Sequence, residues 1–183
     1  PLQFFDAYLQ YGYYPFFSEN LSLYHQQLNR VIRLIIESDL HFIEGITLEN
    51  VRKIYRLLYI LAANVPFKPN ITKLSERIGI HRNTLIRYLY YLEKARLLNL
   101  LSVKGKSIST LSKPDKVYLE NTNIAYALAS KQADQGTLRE TFLLNQIKNV
   151  GEISMPKNGD FIADDIETGV FNKIPLWLFG FLY

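Results

Sequence analysis

Asn70-Ile71-Thr72-Lys73-Leu74-Ser75-Glu76-Arg77-Ile78-Gly79-Ile80-His81-Arg82-Asn83-Thr84-Leu85-Ile86-Arg87-Tyr88-Leu89 is the stretch that decides the fold. Asn70 is a good N-cap, because its side chain can accept from an orphan amide of the first helical turn. The helix that follows, Ile71 to Ile78, puts Leu74 and Ile78 on one face, with Ser75 between them small enough for a second helix to cross closely. Gly79 supplies the positive φ that a tight interhelical turn wants, and valine there is expected to be both strained and crowded. Ile80 plugs the turn and His81 falls at the next N-cap. A second helix then runs from about Arg82 to Arg96, with Leu85, Tyr88, Leu89 and Leu92 as its core face and Asn83, Arg87, Tyr90 and Lys94 opposite. Apolar, small, glycine, apolar, apolar at these spacings is the layout of a DNA-binding helix-turn-helix, although glycine-turned helix pairs also occur in purely structural bundles.

The continuation sharpens the expectation. Leu97 to Val103, Lys104-Gly105-Lys106 and Ser107 to Leu111 read as a β-hairpin with a basic glycine tip, and three helices plus such a hairpin make a winged helix. Arg82, Asn83 and Arg87 are then the candidates for base edges. Lys94, Lys104 and Lys106 are the candidates for phosphates, which position a protein rather than specify a sequence. Winged helices also serve as protein-docking modules, so a protein partner is the competing expectation.

Working outward, charge supports the first expectation. The 183-residue chain has a formal net charge of +4, but residues 50–116 hold 14 Lys/Arg against 3 acidic residues while the flanks hold 7 against 14. A basic block between acidic flanks is the footprint of a module that binds a polyanion, although helices also carry solvated cations without any such partner. With 48% hydrophobic and 21% charged residues the composition is globular and excludes disorder. There is no cysteine, so disulfides and thiolate metal sites are excluded and nothing argues for secretion; a cytoplasmic location is expected. No apolar run approaches the roughly 18 residues of a membrane span, and no membrane partner is expected. Pro1-Leu2-Gln3 is expected to open a piece of a longer protein.

Elsewhere the pattern is mostly helical. Leu2, Phe5, Tyr8 and Leu9 share a face of a short helix ending at Gly12, and an aromatic turn closes at Pro15. Leu21 to Leu40 has a clean 3.6-residue period, and a further helix runs from about Leu48 to Ala63, ahead of Pro66. Asn121 to Ala129 and Leu138 to Val150 read as helices, and the last thirty residues mix short strand-like pieces with Gly and Asp. His25, His41 and His81 are scattered, so no hydrolytic triad is indicated.

As a set, Val65-Pro66-Phe67-Lys68-Pro69-Asn70-Ile71, Leu74-Ser75-Glu76, Gly79-Ile80, Thr84-Leu85 and Tyr88-Leu89 resemble a prokaryotic family of AAA+-type ATPases. Leu92-Glu93-Lys94-Ala95, Lys113-Pro114, Tyr118-Leu119-Glu120-Asn121-Thr122-Asn123, Gly136 to Phe142 and Ile174-Pro175-Leu176-Trp177 continue the match. Such proteins pair an N-terminal P-loop ATPase with a C-terminal domain of unknown function, and the resemblance covers only that C-terminal half. It implies ATP and Mg as cofactors of the absent ATPase domain, that domain as a partner, and a C-terminal region similar to the restriction-endonuclease-like fold. Glu140 and Asp160 match that region's helix and strand carboxylates, as a vestigial metal pair. The strand that should follow, with a carboxylate and a lysine, is not there: Phe161 runs into Ile162-Ala163-Asp164-Asp165.

The expected architecture is therefore α+β and mainly helical, a winged helix-turn-helix plus a small, incomplete nuclease-like α/β region. Residues 1–49 would be helices leading out of the ATPase, 50–116 the winged helix and 117–183 the nuclease-like remnant. The expected function is the nucleic-acid-binding module of an AAA+-type ATPase, without catalytic residues of its own; a protein-interaction or regulatory module is the alternative, and a metal-dependent nuclease a distant third. No Gly-x-x-x-x-Gly-Lys-Ser/Thr occurs in the chain, so the loop that cradles nucleotide phosphates is missing. Titration calorimetry with Mg-ATP should accordingly give no heat of binding, and micromolar affinity would contradict this reading.

Overall fold

A computed structural model describes residues 2–39, 47–64, 68–103, 113–128, 135–148, 153–155, 161–163 and 166–168. Seven α-helices and five short strands fall within them: α1 (Leu2–Tyr11), α2 (Tyr24–Leu34), α3 (Leu48–Ala62), α4 (Ile71–Ile78), α5 (Arg82–Lys94), β1 (Leu98–Leu101), β2 (Lys116–Leu119), α6 (Thr122–Leu128), α7 (Gln135–Ile147), β3 (Ile153–Ser154), β4 (Phe161–Ala163) and β5 (Ile166–Thr168). The fold is α+β and mainly helical.

Short 3₁₀ turns at Pro15–Ser18 and Leu21–Leu23 connect α1 to α2. Past Leu34 the expected single helix becomes a π turn, Ile35–Asp39. An α-helix drifts by about 40° for every four residues, and a wider i→i+5 turn counters that drift. Tyr24, Leu28, Ile32 and Ile36, each four residues apart, all end up buried. They join Ile54, Leu57, Leu58 and Leu61 of α3, Leu74 and Ile78 of α4, Leu85, Leu89 and Leu92 of α5, Val117 and Leu119 of β2, and Ile124 and Leu128 of α6 in a single apolar core.

The helix pair has the local chemistry that its sequence calls for. Asn70 Oδ1 accepts from the Lys73 amide at 3.1 Å, and Ser75 and Ile78 are buried. Gly79 is left-handed at φ 73°, its N–H donating to the Ser75 and Glu76 carbonyls at 2.9 and 3.2 Å. A β-carbon at Gly79 would meet nothing within 4 Å, so the expected crowding is absent and conformational strain alone penalises substitution. His81 is the N-cap of α5 by backbone geometry, but its side chain makes no capping bond. Leu85, Tyr88, Leu89 and Leu92 are buried as expected, whereas Tyr90 is half-buried against the core rather than exposed.

The sheet departs from the expected hairpin. β1 pairs antiparallel with Lys116–Leu119, in the register Leu98↔Leu119 to Leu101↔Lys116. Ser107 to Leu111, the partner expected from sequence, lies outside the described residues. All four β2 residues are buried, so this strand brings far more apolar surface to β1 than an alternating Ser-Ile-Ser-Thr run offers. Asp115 fastens the open end, its N–H donating to the Leu101 carbonyl at 2.8 Å and its Oδ2 accepting from the Val103 amide at 3.0 Å. Beyond β1, the Met155 amide donates to the Ser102 carbonyl at 2.9 Å, which brings the chain beside β3. β3, β4 and β5 form a second antiparallel sheet in sequence order.

A buried polar knot secures α1. Asn123 Oδ1 accepts from the Tyr13 amide at 2.9 Å and from the Tyr24 hydroxyl, while its Nδ2 donates to the Leu9 carbonyl at 2.7 Å. The Thr122 hydroxyl donates to that same carbonyl at 2.7 Å, and Asn121 Nδ2 to the Tyr14 hydroxyl at 2.9 Å. Burial pushes the Tyr14 and Tyr24 hydroxyls up to about 12, so both remain donors across the physiological range.

Gly79→Val should destabilise the fold by about 1–2 kcal/mol through the left-handed backbone alone, and Gly79→Asn by less, because Asn visits that region more readily. Urea unfolding of the two variants is the check; a valine variant with an unshifted midpoint would mean that the turn is not held at positive φ.

Candidate nucleic-acid interface

The outward surface of the α4–α5 pair that sequence marks for nucleic acid is built by α5. Burying Leu85, Tyr88, Leu89 and Leu92 fixes the rotation of this helix, and that rotation turns Asn83, Arg87 and Lys94 to solvent along one stripe. Arg82, at the first helical residue, is exposed beside them. Among the described residues Arg82, Arg87 and Lys94 make no ion pair. Lys73 and Arg77 of α4 and Arg96 just beyond α5 add exposed cations in the neighbourhood of the pair. Lys104 and Lys106 lie outside the described residues.

The carboxylates find their partners elsewhere. Glu37 pairs with Arg33 at 3.7 Å, Glu49 with Lys53 at 2.7 Å, Glu140 with Lys116 at 3.3 Å, and Glu120 with Lys148. Among the described residues no flank carboxylate pairs with Arg87, the contact that the protein-docking alternative calls for. Lys116 is a partial exception to the basic block: it is buried, donating to the Tyr118 hydroxyl at 2.7 Å as well as to Glu140.

That cluster also defines the environment of the first candidate metal residue. Glu140 Oε2 accepts from the Tyr118 hydroxyl at 2.8 Å and from Lys116 Nζ at 3.3 Å. Asp160, the second candidate, lies outside the described residues, as do Asp164 and Asp165. Among the described residues no group of three or more His, Asp or Glu side chains is placed to hold a metal ion, and no helix is long and apolar enough to cross a membrane.

One residue at this surface escapes sequence reasoning. Glu93, near the end of α5, accepts from the Leu100 amide at 2.9 Å through Oε1 and so bolts the helix to β1. Burial raises its carboxyl above the ordinary glutamate range; the Leu100 N–H opposes that shift, and the nearby Glu120 adds to it. Nothing in the run Leu92-Glu93-Lys94 distinguishes this glutamate from a solvated one, because its partner lies on the following strand.

Residues 2–135 match the model of a domain family of unknown function, DUF8612. The chain belongs to that family. The match begins with α1 and takes in both helices of the pair, β1, β2 and α6, reaching the first residue of α7. No curated protein and no solved structure matches the chain. The DUF8612 stretch thus includes every one of the DNA-contact candidates, whereas Glu140 and Asp160 lie beyond it.

The raised carboxyl of Glu93 carries a pH signature. The folded state holds its proton where the unfolded chain has lost it, so stability should fall as pH climbs from the ordinary glutamate pKa through the raised folded value. Glu93→Gln keeps an acceptor for Leu100 and removes the titration. Thermal melts across this window should show a smaller pH slope for the variant; equal slopes would refute the assignment.

Proposed function

We propose that this DUF8612 domain binds duplex DNA as the target-recognition module of an AAA+-type ATPase. The carrying observation is the exposed stripe Asn83, Arg87 and Lys94 on α5, free of ion pairs among the described residues and facing away from the core. In this reading α3, α4 and α5 are the three helices of a winged helix and β1–β2 are the strands of its wing, with Lys104 and Lys106 in the connection between them. The N-terminal part of a recognition helix lies closest to base edges in the major groove. Arg82, Asn83 and Arg87 occupy that part. Lys94 is placed for the phosphate backbone.

The AAA+ context rests on the family resemblance and on the character of the N-terminal segment. Phe4 is 81% exposed and Leu34 63% exposed, with Phe17 and Leu21 also open to solvent. Apolar side chains on helices that would lead out of an ATPase domain suit a face that packs against it. The same observation favours the second reading, a regulatory module whose main partner is its own ATPase. A nuclease is the weakest reading, because Glu140 is already engaged by Lys116 and Tyr118.

Salt separates the two leading readings. Affinity for arbitrary duplex DNA that falls linearly on a log–log plot against salt supports DNA binding, since phosphate contacts release counterions. Lys94→Gln should reduce that slope by about one, and Arg87→Ala should cost about 1–3 kcal/mol at a preferred sequence only. Absence of duplex binding at low salt would leave the regulatory reading.

A further inference from the structure

We infer that Arg96 is a phosphate-contacting residue of this domain, placed at the joint between α5 and β1; the inference rests on the DNA-binding reading. It starts from a difference between two helix ends that are built alike. α4 and α5 both close on a left-handed residue, Gly79 at φ 73° and Arg96 at φ 56°. At α5 the Arg96 amide donates to the Glu93 carbonyl and the Leu97 amide to the Leu92 carbonyl, both at 2.9 Å. This is the paired bonding of a Schellman motif, whose left-handed position glycine fills without steric cost and a side chain does not. Arg96 is the one non-glycine residue at positive φ among the described residues. The turn gains nothing from an arginine there.

Among the described residues its guanidinium is engaged only through the field of Glu93. Arg96 is exposed and makes no ion pair among the described residues. Glu93 feels its charge, but the Glu93 carboxylate is already taken by the Leu100 amide. A cation at a helix C-terminus complements the helix dipole, yet Lys94 supplies that charge from inside the helix, where no strain attends it. What remains is an external anion. Arg96 follows Lys94 by two residues and stands two residues before the strand that begins the proposed wing. A rigid guanidinium fork at this joint matches a backbone phosphate with two parallel N–H donors. Its distance along the chain from Arg82 and Asn83, at the other end of α5, places it on the positioning side of the interface and not among the base-reading residues.

The test uses the whole 183-residue chain carrying R96G or R96K, a short random-sequence DNA duplex, and melting in parallel with binding. R96G should melt at a higher temperature than the unsubstituted chain, because the left-handed strain is gone. It should nonetheless bind about fivefold more weakly and lose about one unit of salt slope. R96K keeps charge and strain, and should retain the slope and the lower melting temperature. The inference is overturned if R96G binds with unchanged affinity and slope, or if it melts below the unsubstituted chain. A lack of binding by the unsubstituted chain is seen before any variant is made; it would overturn the DNA reading and this assignment with it.

Discussion

The carboxamide of Asn123 sits fully buried at the start of α6, and the N-terminal quarter of the molecule is fastened to it. Its oxygen takes the Tyr13 amide and the Tyr24 hydroxyl, and its nitrogen reaches the last turn of α1 at the Leu9 and Tyr8 carbonyls. They are carbonyls near a helix end, of which that of Tyr8 also takes the Gly12 amide, together with a loop amide and a buried phenol. Leaving one such group unpaired costs about 1–3 kcal/mol, which is why a single buried amide serving four of them constrains so much of the chain. Asn121 and Thr122 extend the same fastening to Tyr14 and again to Leu9. With α1 and the aromatic turn held, the rings of Tyr11, Phe16, Tyr24 and His25 pack edge-on and face-on around them, and α2 is oriented against α6.

Charge is arranged on the same principle of local satisfaction. Acidic groups within reach of a lysine or arginine are engaged where they stand, either along one helix, as with Glu49 and Lys53, or between a strand and α7, as with Lys116 and Glu140. An exposed pair along one helix, such as Glu49 with Lys53, adds little stability. The consequence of these pairings is electrostatic: the surplus cations left over include those of the helix pair, which make no ion pair among the described residues. Glu93 is the informative exception, a carboxylate inside the basic region whose hydrogen bond comes from a backbone amide, with Arg96 acting on it only through its field.

Local signals carried most of the helical architecture. Asn70, Gly79 and the four-residue spacing of Leu85, Leu89 and Tyr88 with Leu92 each announce a cap, a turn or a face through neighbours only a few residues away, and they occur where the sequence places them. The strand pairing was not legible in the same way. Lys104-Gly105-Lys106 is a strong turn signal beside β1, while the burial of Lys116-Val117-Tyr118-Leu119 depends on the core that receives it. The helix that begins at Asn121 is legible by pattern, but the burial of Asn121, Thr122 and Asn123 is not, because the groups that satisfy their side chains stand more than 100 residues earlier. Within the candidate site, the outward stripe of α5 follows from period alone. The roles of Glu93 and Arg96 do not: one depends on a strand amide, the other on a backbone angle that no residue type dictates.

The separation of the partners in the Asn123 knot also imposes an order on synthesis. Leu9 and Asn123 are 114 residues apart, so α1 leaves the ribosome long before the group that completes its last turn exists. At ~5–20 residues per second the interval is on the order of ten seconds. During it the α1 carbonyls and the rings of the aromatic turn must rely on water or a chaperone. The helix pair is under no such delay, since Asn70, Gly79 and the α5 core face lie within one short span. A nascent chain would therefore form the caps and turn of its basic helix pair before its N-terminus is locked.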